Sequence, residues 1–511
     1  MSAAQRSTAS GCEGDARVII IGAGPAGVSA AWPLVRAGVP VMMLDAAEGD
    51  PPASPTAPSL AAFRADSDRW RAEFGSDLSA LGGDGDRSPK FSTPLARWAL
   101  GGYAEAIGLQ TRDFLAAGAL ARGGLSTIWG ALAAEFTDQE LDGFPVPAAE
   151  MRPHYAAVRE RIGAPAASAD ALTSPAARRA FAHLSAKDRG LTVEPAPNAV
   201  LGAAQDGRQA CIRCGLCLWG CHRGAIYDAA LELPALRRLP HFDYRPAHRV
   251  RRLGRDGDLQ VVEGEGFVLR AETVVLAAGT IASAALALPR LGLADRPAPL
   301  LTNPAAGTAF VVPGLIGADL PVESLSLGQL FYRLPLDGAA AAGVLYGADA
   351  LPLHLVAERL PLSRPVALRL ARALAPALIM ATVYLPGRFS RNRITAGEGR
   401  VMIEGERTAE ADTALRQAVG RLSRALFPAA LPLPGATSLL QPGADAHYAG
   451  VLPMGAEGPF ASGGFGELDT GLHAADGTVL PRLPAAHPTL TVMANAHRIG
   501  AEVARRSGGA A

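Results

Sequence analysis

Apolar and polar positions change their spacing early in the chain. Val18 to Ile21 is a continuous β-branched run, suited to a strand buried on both faces, and Val41 to Leu44 is a second apolar run. A helical segment joins them, so the stretch predicts strand, turn, helix, strand. Pro33 falls inside that helix, where its missing N–H predicts a kink. Further along, a helix is predicted from Leu60 to about Phe74, followed by a Gly/Asp-rich loop through Pro89. Phe242 to Leu269 alternates around Asp256-Gly257 and predicts a hairpin leading into a buried strand at Thr273 to Leu276. Ser363 to Pro376 predicts a helix with Arg369 and Arg372 on one face and Val366, Leu370 and Leu374 on another. A last helix is predicted from Thr489 to Arg505, with Pro488 at its first position, where a missing N–H costs no intrahelical bond.

The first turn carries chemistry. Gly22, Gly24 and Gly27 stand in the G-x-G-x-x-G register directly after the strand. The first permits a tight turn, the second lets backbone approach a pyrophosphate, and the third allows close packing while the helix N-terminus faces the phosphates. Asp45, at the end of the second run, is placed to accept hydrogen bonds from a ribose. This is a dinucleotide-binding fingerprint, and by itself it leaves FAD and NAD both open.

Composition narrows the class. At 511 residues and 49% hydrophobic content the chain is a globular protein too long for one simple core, so two large domains or one interrupted domain are expected. A formal net charge of zero gives no general attraction to nucleic acid or to an acidic membrane surface. No apolar run is long enough to span a bilayer, the longest candidate, Ala373 to Leu385, being short and broken by Pro376. The opening residues, Met1 to Ala16, lack the basic and apolar pattern of a secretory signal, which predicts a soluble, cytoplasmic protein. Cys12 stands alone in that segment, while the other cysteines cluster in one short run, unlike a disulfide framework.

Five segments together carry a resemblance. They are the fingerprint, the turn ARGGLSTIWGALAAEF (Ala121 to Phe136), AETVVLAAGTIASAALAL (Ala271 to Leu288), HYAGVLPMG (His447 to Gly455) and DGTVLPRLPAAHPTLTVMANAHR (Asp476 to Arg498). In this order the chain resembles the glucose-methanol-choline (GMC) oxidoreductases. The resemblance implies FAD as the cofactor. It also implies an α/β fold in which a Rossmann-like FAD-binding domain in discontinuous pieces carries an inserted α+β substrate domain with an antiparallel sheet. The pieces expected are 14–300, including a cysteine-rich loop at 205–228, then the substrate domain at 301–440, then 441–511 with the catalytic residues. Gly123, Gly124 and Ser126 would form a small-residue turn entering a helix and pressing backbone N–H groups against the cofactor. Val250 would meet its adenine end, Ala278 and Gly279 would line its passage, and Asp476 and Gly477 would contact the flavin, toward which Pro488 would aim a helix N-terminus.

The segment FPVPAAEMRPHYAAV (Phe144 to Val158) and a cysteine-rich loop bring the resemblance closer to a subgroup that includes sugar and polyol dehydrogenases. Cys211, Cys214, Cys217 and Cys221 have the C-x2-C-x2-C-x3-C spacing of a ferredoxin run without its trailing proline. Two readings stay open: a three-iron or four-iron cluster, or reduced thiols, with or without zinc, acting as a structural clamp.

Oxidation of an alcohol removes a proton from oxygen and a hydride from carbon, so a base must face the hydroxyl while the flavin faces the C–H. His447 and His487 match the family's paired catalytic positions, His447 as base and His487 as hydrogen-bond partner of the developing alkoxide. The expected activity is an FAD-dependent dehydrogenase for an alcohol, sugar, polyol or glycan, passing electrons to a partner protein or a quinone. Rivals are an oxygen-using oxidase, a non-redox lyase on the same fold, and an electron-transfer subunit with no substrate of its own.

Overall fold

The structure, a computed structural model, describes residues 16–78, 89–164, 172–358 and 360–508. Cys12 and most of the Gly/Asp-rich loop lie outside the described residues. The first strand, Ala16–Ile21, is at the centre of an eight-stranded sheet. It runs parallel to Val41–Leu44 on one side and to Phe267–Leu276 on the other, and Phe242–Arg245 extends the sheet beyond Val41–Leu44. Leu472–Ala474, from late in the chain, pairs in parallel with Phe267–Leu276. Val18, Ile19 and Ile20 are fully buried, as expected of a strand covered on both faces.

Two helices far apart in sequence, Pro25–Arg36 and Thr489–Arg506, pack against each other over this sheet. Their approach is close enough that a Cβ on Gly500 would lie 2.2 Å from the Ala30 carbonyl oxygen. Gly500→Ala should therefore lower the melting temperature by forcing the helices apart, at a cost of about 1–3 kcal/mol; thermal unfolding checks it. Pro33 does not break its helix. It stands in the last turn, and the helix is continuous from Pro25 to Arg36.

A second, antiparallel sheet of seven strands has Ala305–Val311 flanked by Leu378–Tyr384, followed by Ala339–Gly347 and Leu330–Leu336. Thr192–Pro195, from before the cysteine run, adds an edge to it. Helices Pro175–Ser185 and Ala409–Leu426 close its apolar face through Ala180, Leu184, Leu415 and Leu422. A four-stranded sheet combines Leu109–Arg112, Ala298–Pro299, Arg393–Gly397 and Arg400–Glu404. The α/β class with an antiparallel substrate-side sheet agrees with expectation.

Several local expectations are corrected. The helix predicted from Leu60 to Phe74 is two helices, Leu60–Ala65 and Arg69–Phe74, because Asp66 is extended. The hairpin is Val250–Asp256 with Leu259–Gly264, whereas Phe242–Arg245 is a separate parallel strand. Helix Arg364–Leu374 forms, but it packs through Ala367 and Ala371, leaving Val366 47% and Leu370 36% exposed. Small residues win that interface because they let the helix approach Ala357.

Candidate active site

A cavity of about 1000 Å³ runs along the C-terminal ends of Ala16–Ile21 and Phe267–Leu276. This is where ligands bind open parallel sheets. Of the sequence-predicted residues, Gly22, Gly24, Asp45, Gly124, Val250, Ala278, Gly279, Asp476, Gly477, Pro488 and His447 line it.

The glycine turn is built from three different constraints. Gly22 has φ +106°, and a Cβ there would meet the Ala277 carbonyl oxygen at 2.4 Å. A Cβ on Gly27 would lie 1.9 Å from the Gly22 carbonyl oxygen, so this glycine locks the turn and does not line the cavity. Gly24 differs. Its φ of −76° and ψ of −176° suit any residue, and a Cβ would find nothing nearer than the Gly123 carbonyl oxygen at 3.8 Å. The chain itself gives no reason for a glycine at 24; the space beside it belongs to the cavity.

Three helices begin at this cavity. Gly24, Gly279 and Pro488 cap Pro25–Arg36, Thr280–Arg290 and Thr489–Arg506, and none supplies a side-chain cap. Each of these helices points its positive dipole end inward without a capping side chain in the way, as an anionic, phosphate-bearing ligand requires. The shape and donor set fit FAD.

Other residues hold these walls. Asp45 accepts from the Tyr244 hydroxyl at 2.8 Å and from the Ala47 N–H at 3.3 Å. Burial raises its carboxyl to about 6, against the lowering effect of those bonds. Asp476 is hydrogen-bonded within the protein on both carboxylate oxygens. One oxygen accepts from Gly279 N–H at 2.9 Å and Ser283 Oγ at 2.5 Å, and the other from Thr478 N–H and Oγ1, so it pins two cavity-lining turns together.

The turn at Gly123 is also corrected. Gly124–Thr127 is a single 3-10 turn and no helix follows. Gly123 and Ser126 stand behind the wall, and neither lines the cavity. Ser126 Oγ donates to the Gly123 carbonyl at 2.6 Å and accepts from Ala229 N–H at 3.0 Å, with Asp228 Oδ1 at 3.2 Å. Its hydroxyl is consumed in shaping the turn.

At the other end of the cavity the two predicted histidines meet. The rings of His447 and His487 are 5.0 Å apart at 71°, and Tyr384 stands 5.4 Å from the first and 5.1 Å from the second. His447 lines the cavity and His487 sits behind it. Burial lowers His447 to about 4 and takes His487 well below the usual imidazole range, with His447 adding to that effect, so both are neutral at pH 7. His487 Nδ1 is buried and has no hydrogen-bond partner among the described residues. His447 Nδ1 faces Asn303 Oδ1 at 3.0 Å. Asn303, Asp445 and Tyr384 were not found from sequence. Asp445, two residues before His447, offered a local signal; Asn303 offered none.

In the cysteine run Cys217 is buried and Cys211, Cys214 and Cys221 are half-buried, all as free cysteines. Among the described residues no three Cys, His, Asp or Glu side chains converge to hold a metal ion. Cys214 packs toward Phe63 and Trp219, whereas Cys217 and Cys211 pack with Ala131, Leu325 and Leu327. The Cys217–Trp219 turn lies between these packings, and Cys211, Cys214 and Cys221 all stand near enough to Cys217 to disfavour its ionisation. Burial raises Cys211 and Cys214 and pushes Cys217 up to about 12, so these thiols are protonated.

A family model described as an FAD binding domain matches residues 15–57. No curated protein matches the chain. Among solved structures the fold is similar to that of pyridoxine 4-oxidase from Mesorbium loti, with a TM-score of 0.61 at 17% identity, covering 97% of this chain and 100% of that one. Among the described residues no helix is long and apolar enough to cross a membrane.

Proposed function

We propose that this chain, an FAD-dependent oxidoreductase with the glucose-methanol-choline fold, oxidises the CH–OH group of an alcohol with His447 as the base. One observation carries the reading: a neutral histidine lines the same cavity as the dinucleotide fingerprint and the three uncapped helix starts. Bound flavin supplies the hydride acceptor. The chain's residues handle the rest. His447 takes the hydroxyl proton, the carbon-bound hydrogen leaves as hydride, and the former alcohol carbon becomes a carbonyl. His487, whose ring stands 5.0 Å from that of His447, is assigned the hydrogen bond to the oxygen on which negative charge develops. The N-terminus capped by Pro488 lies along the same wall, where its dipole favours negative charge.

Sugars, polyols and glycans are the substrates that the sequence resemblance favours. Anaerobic flavin bleaching by an alcohol would separate this reading from a lyase or an electron-transfer subunit. The iron-sulfur reading rests on the cysteine spacing and on the sequence resemblance. No electron step is routed through a cluster here; iron and labile sulfide in stoichiometry with FAD would establish one, and anaerobic protein with neither would leave the loop a structural clamp.

An oxidase is the second reading, favoured by the likeness of fold to a protein named as one. As a dehydrogenase the protein should consume oxygen slowly and reduce artificial acceptors quickly, passing electrons in the cell to a protein or quinone. Substrate-dependent peroxide formed as fast as the artificial acceptor is reduced would assign the oxidase instead.

A further inference from the structure

We propose that Asn303 holds His447 as its Nδ1–H tautomer, leaving Nε2 as the proton acceptor, and that Asp445 supplies the negative charge facing the imidazolium formed when His447 is protonated. The inference rests on the reading of His447 as the base, and extends it to two residues that would act through that side chain.

The hydrogen bonds around Asn303 determine its orientation. Its Nδ2 donates to the Leu385 carbonyl at 2.8 Å and the Pro484 carbonyl at 2.9 Å. A flipped amide would set its oxygen against both carbonyls, so Oδ1 is the atom that faces His447 Nδ1 at 3.0 Å. An amide oxygen only accepts, and Nδ1 must therefore carry the hydrogen. In a neutral ring that leaves Nε2 unprotonated, with its lone pair free to take the hydroxyl proton.

Asp445 lies immediately behind this pair. Its Oδ2 accepts from Asn303 N–H at 2.8 Å and His447 N–H at 3.3 Å, and stands 3.8 Å from His447 Nδ1. Its other oxygen is buried and unpartnered. Burial raises the carboxyl to about 7, while its backbone N–H bonds act in the opposite direction. The other titratable groups facing the site are His487, before the last helix, and Tyr384, at the end of strand Leu378–Tyr384. Ionising Asp445 puts a negative charge beside the ring that receives the proton. Reaction should therefore quicken as pH rises through the ionisation of Asp445.

Nitrogen-15 NMR of histidine-labelled, flavin-loaded protein without substrate tests the tautomer, with His447 identified by the signal missing from His447→Ala. A protonated Nδ1 and an unprotonated Nε2 are expected. A wild-type Nε2–H tautomer would overturn the assignment even if Asn303 variants fail to fold. Asn303→Ala should give a mixture of tautomers, and retention of the pure Nδ1–H form would also overturn it. Asp445→Asn is nearly isosteric and keeps an oxygen for both backbone N–H groups. It should leave the tautomer unchanged, slow flavin reduction about tenfold and remove a limb near pH 7 from the rate profile. An unchanged profile would refute the charge role. Neither tautomer result depends on turnover, so failure of the base assignment itself, seen as full activity in His447→Ala, remains distinguishable.

Discussion

His447→Ala protein should bind FAD and stay yellow, yet its flavin should be reduced by alcohol roughly 10²- to 10⁴-fold more slowly. That corresponds to about 3–5 kcal/mol of lost transition-state stabilisation. The expectation follows from position and charge state together. His447 lines the cavity with its side chain 13% exposed, and burial holds it neutral, so its ring is unprotonated throughout the neutral range. The ring's partners are Asn303, Asp445, Tyr384 and His487, none of them in the glycine turn, and its removal should spare cofactor binding. Stopped-flow reduction under anaerobic conditions reads the effect. His487→Ala should impair the same step less, since it removes a hydrogen-bond partner and leaves the base in place. Unchanged reduction in both variants would remove the histidine pair from the mechanism.

Gly24→Val should yield a folded, colourless protein. The backbone at this position accepts a side chain, and no protein atom would be struck by its Cβ. The valine would instead project into the space left for a pyrophosphate at the start of helix Pro25–Arg36. Gly22 and Gly27 make the contrast: a Cβ at either would strike backbone, and substitution there should damage the fold itself. Flavin content, measured by absorbance after denaturation, and the gain in melting temperature on adding FAD should both vanish in Gly24→Val. Stoichiometric flavin in this variant would sink the cofactor assignment at this turn.

What was legible in the sequence had short-range causes. Val18 to Asp45 is a single local unit, so its strand, turn, helix and acid could be read in order, and the structure places them as read. His447 and His487 were legible as parts of motifs. Asn303 was not, because its role depends on Leu385, Pro484 and His447 arriving from three other segments. The partners of the Ser126 hydroxyl were hidden for a related reason: Asp228 and Ala229 are distant in sequence. The cysteine run shows what spacing leaves open: Cys214 packs toward one apolar cluster and Cys211 and Cys217 toward another, and nothing in the run itself specifies those neighbours.

The packing of Pro25–Arg36 against Thr489–Arg506 has a consequence for how the protein is made. Ribosomes release the glycine turn early, while the strand Leu472–Ala474, the Pro488 cap and the helix that covers Ala30 come out late. Domains tend to fold as units while synthesis proceeds. Here the pieces of the unit lie far apart in the chain. A nascent chain carries the apolar side of its first helix uncovered until Thr489–Arg506 is made, and the cofactor cavity acquires its last wall only then. Loading of FAD is accordingly expected only after that helix has emerged.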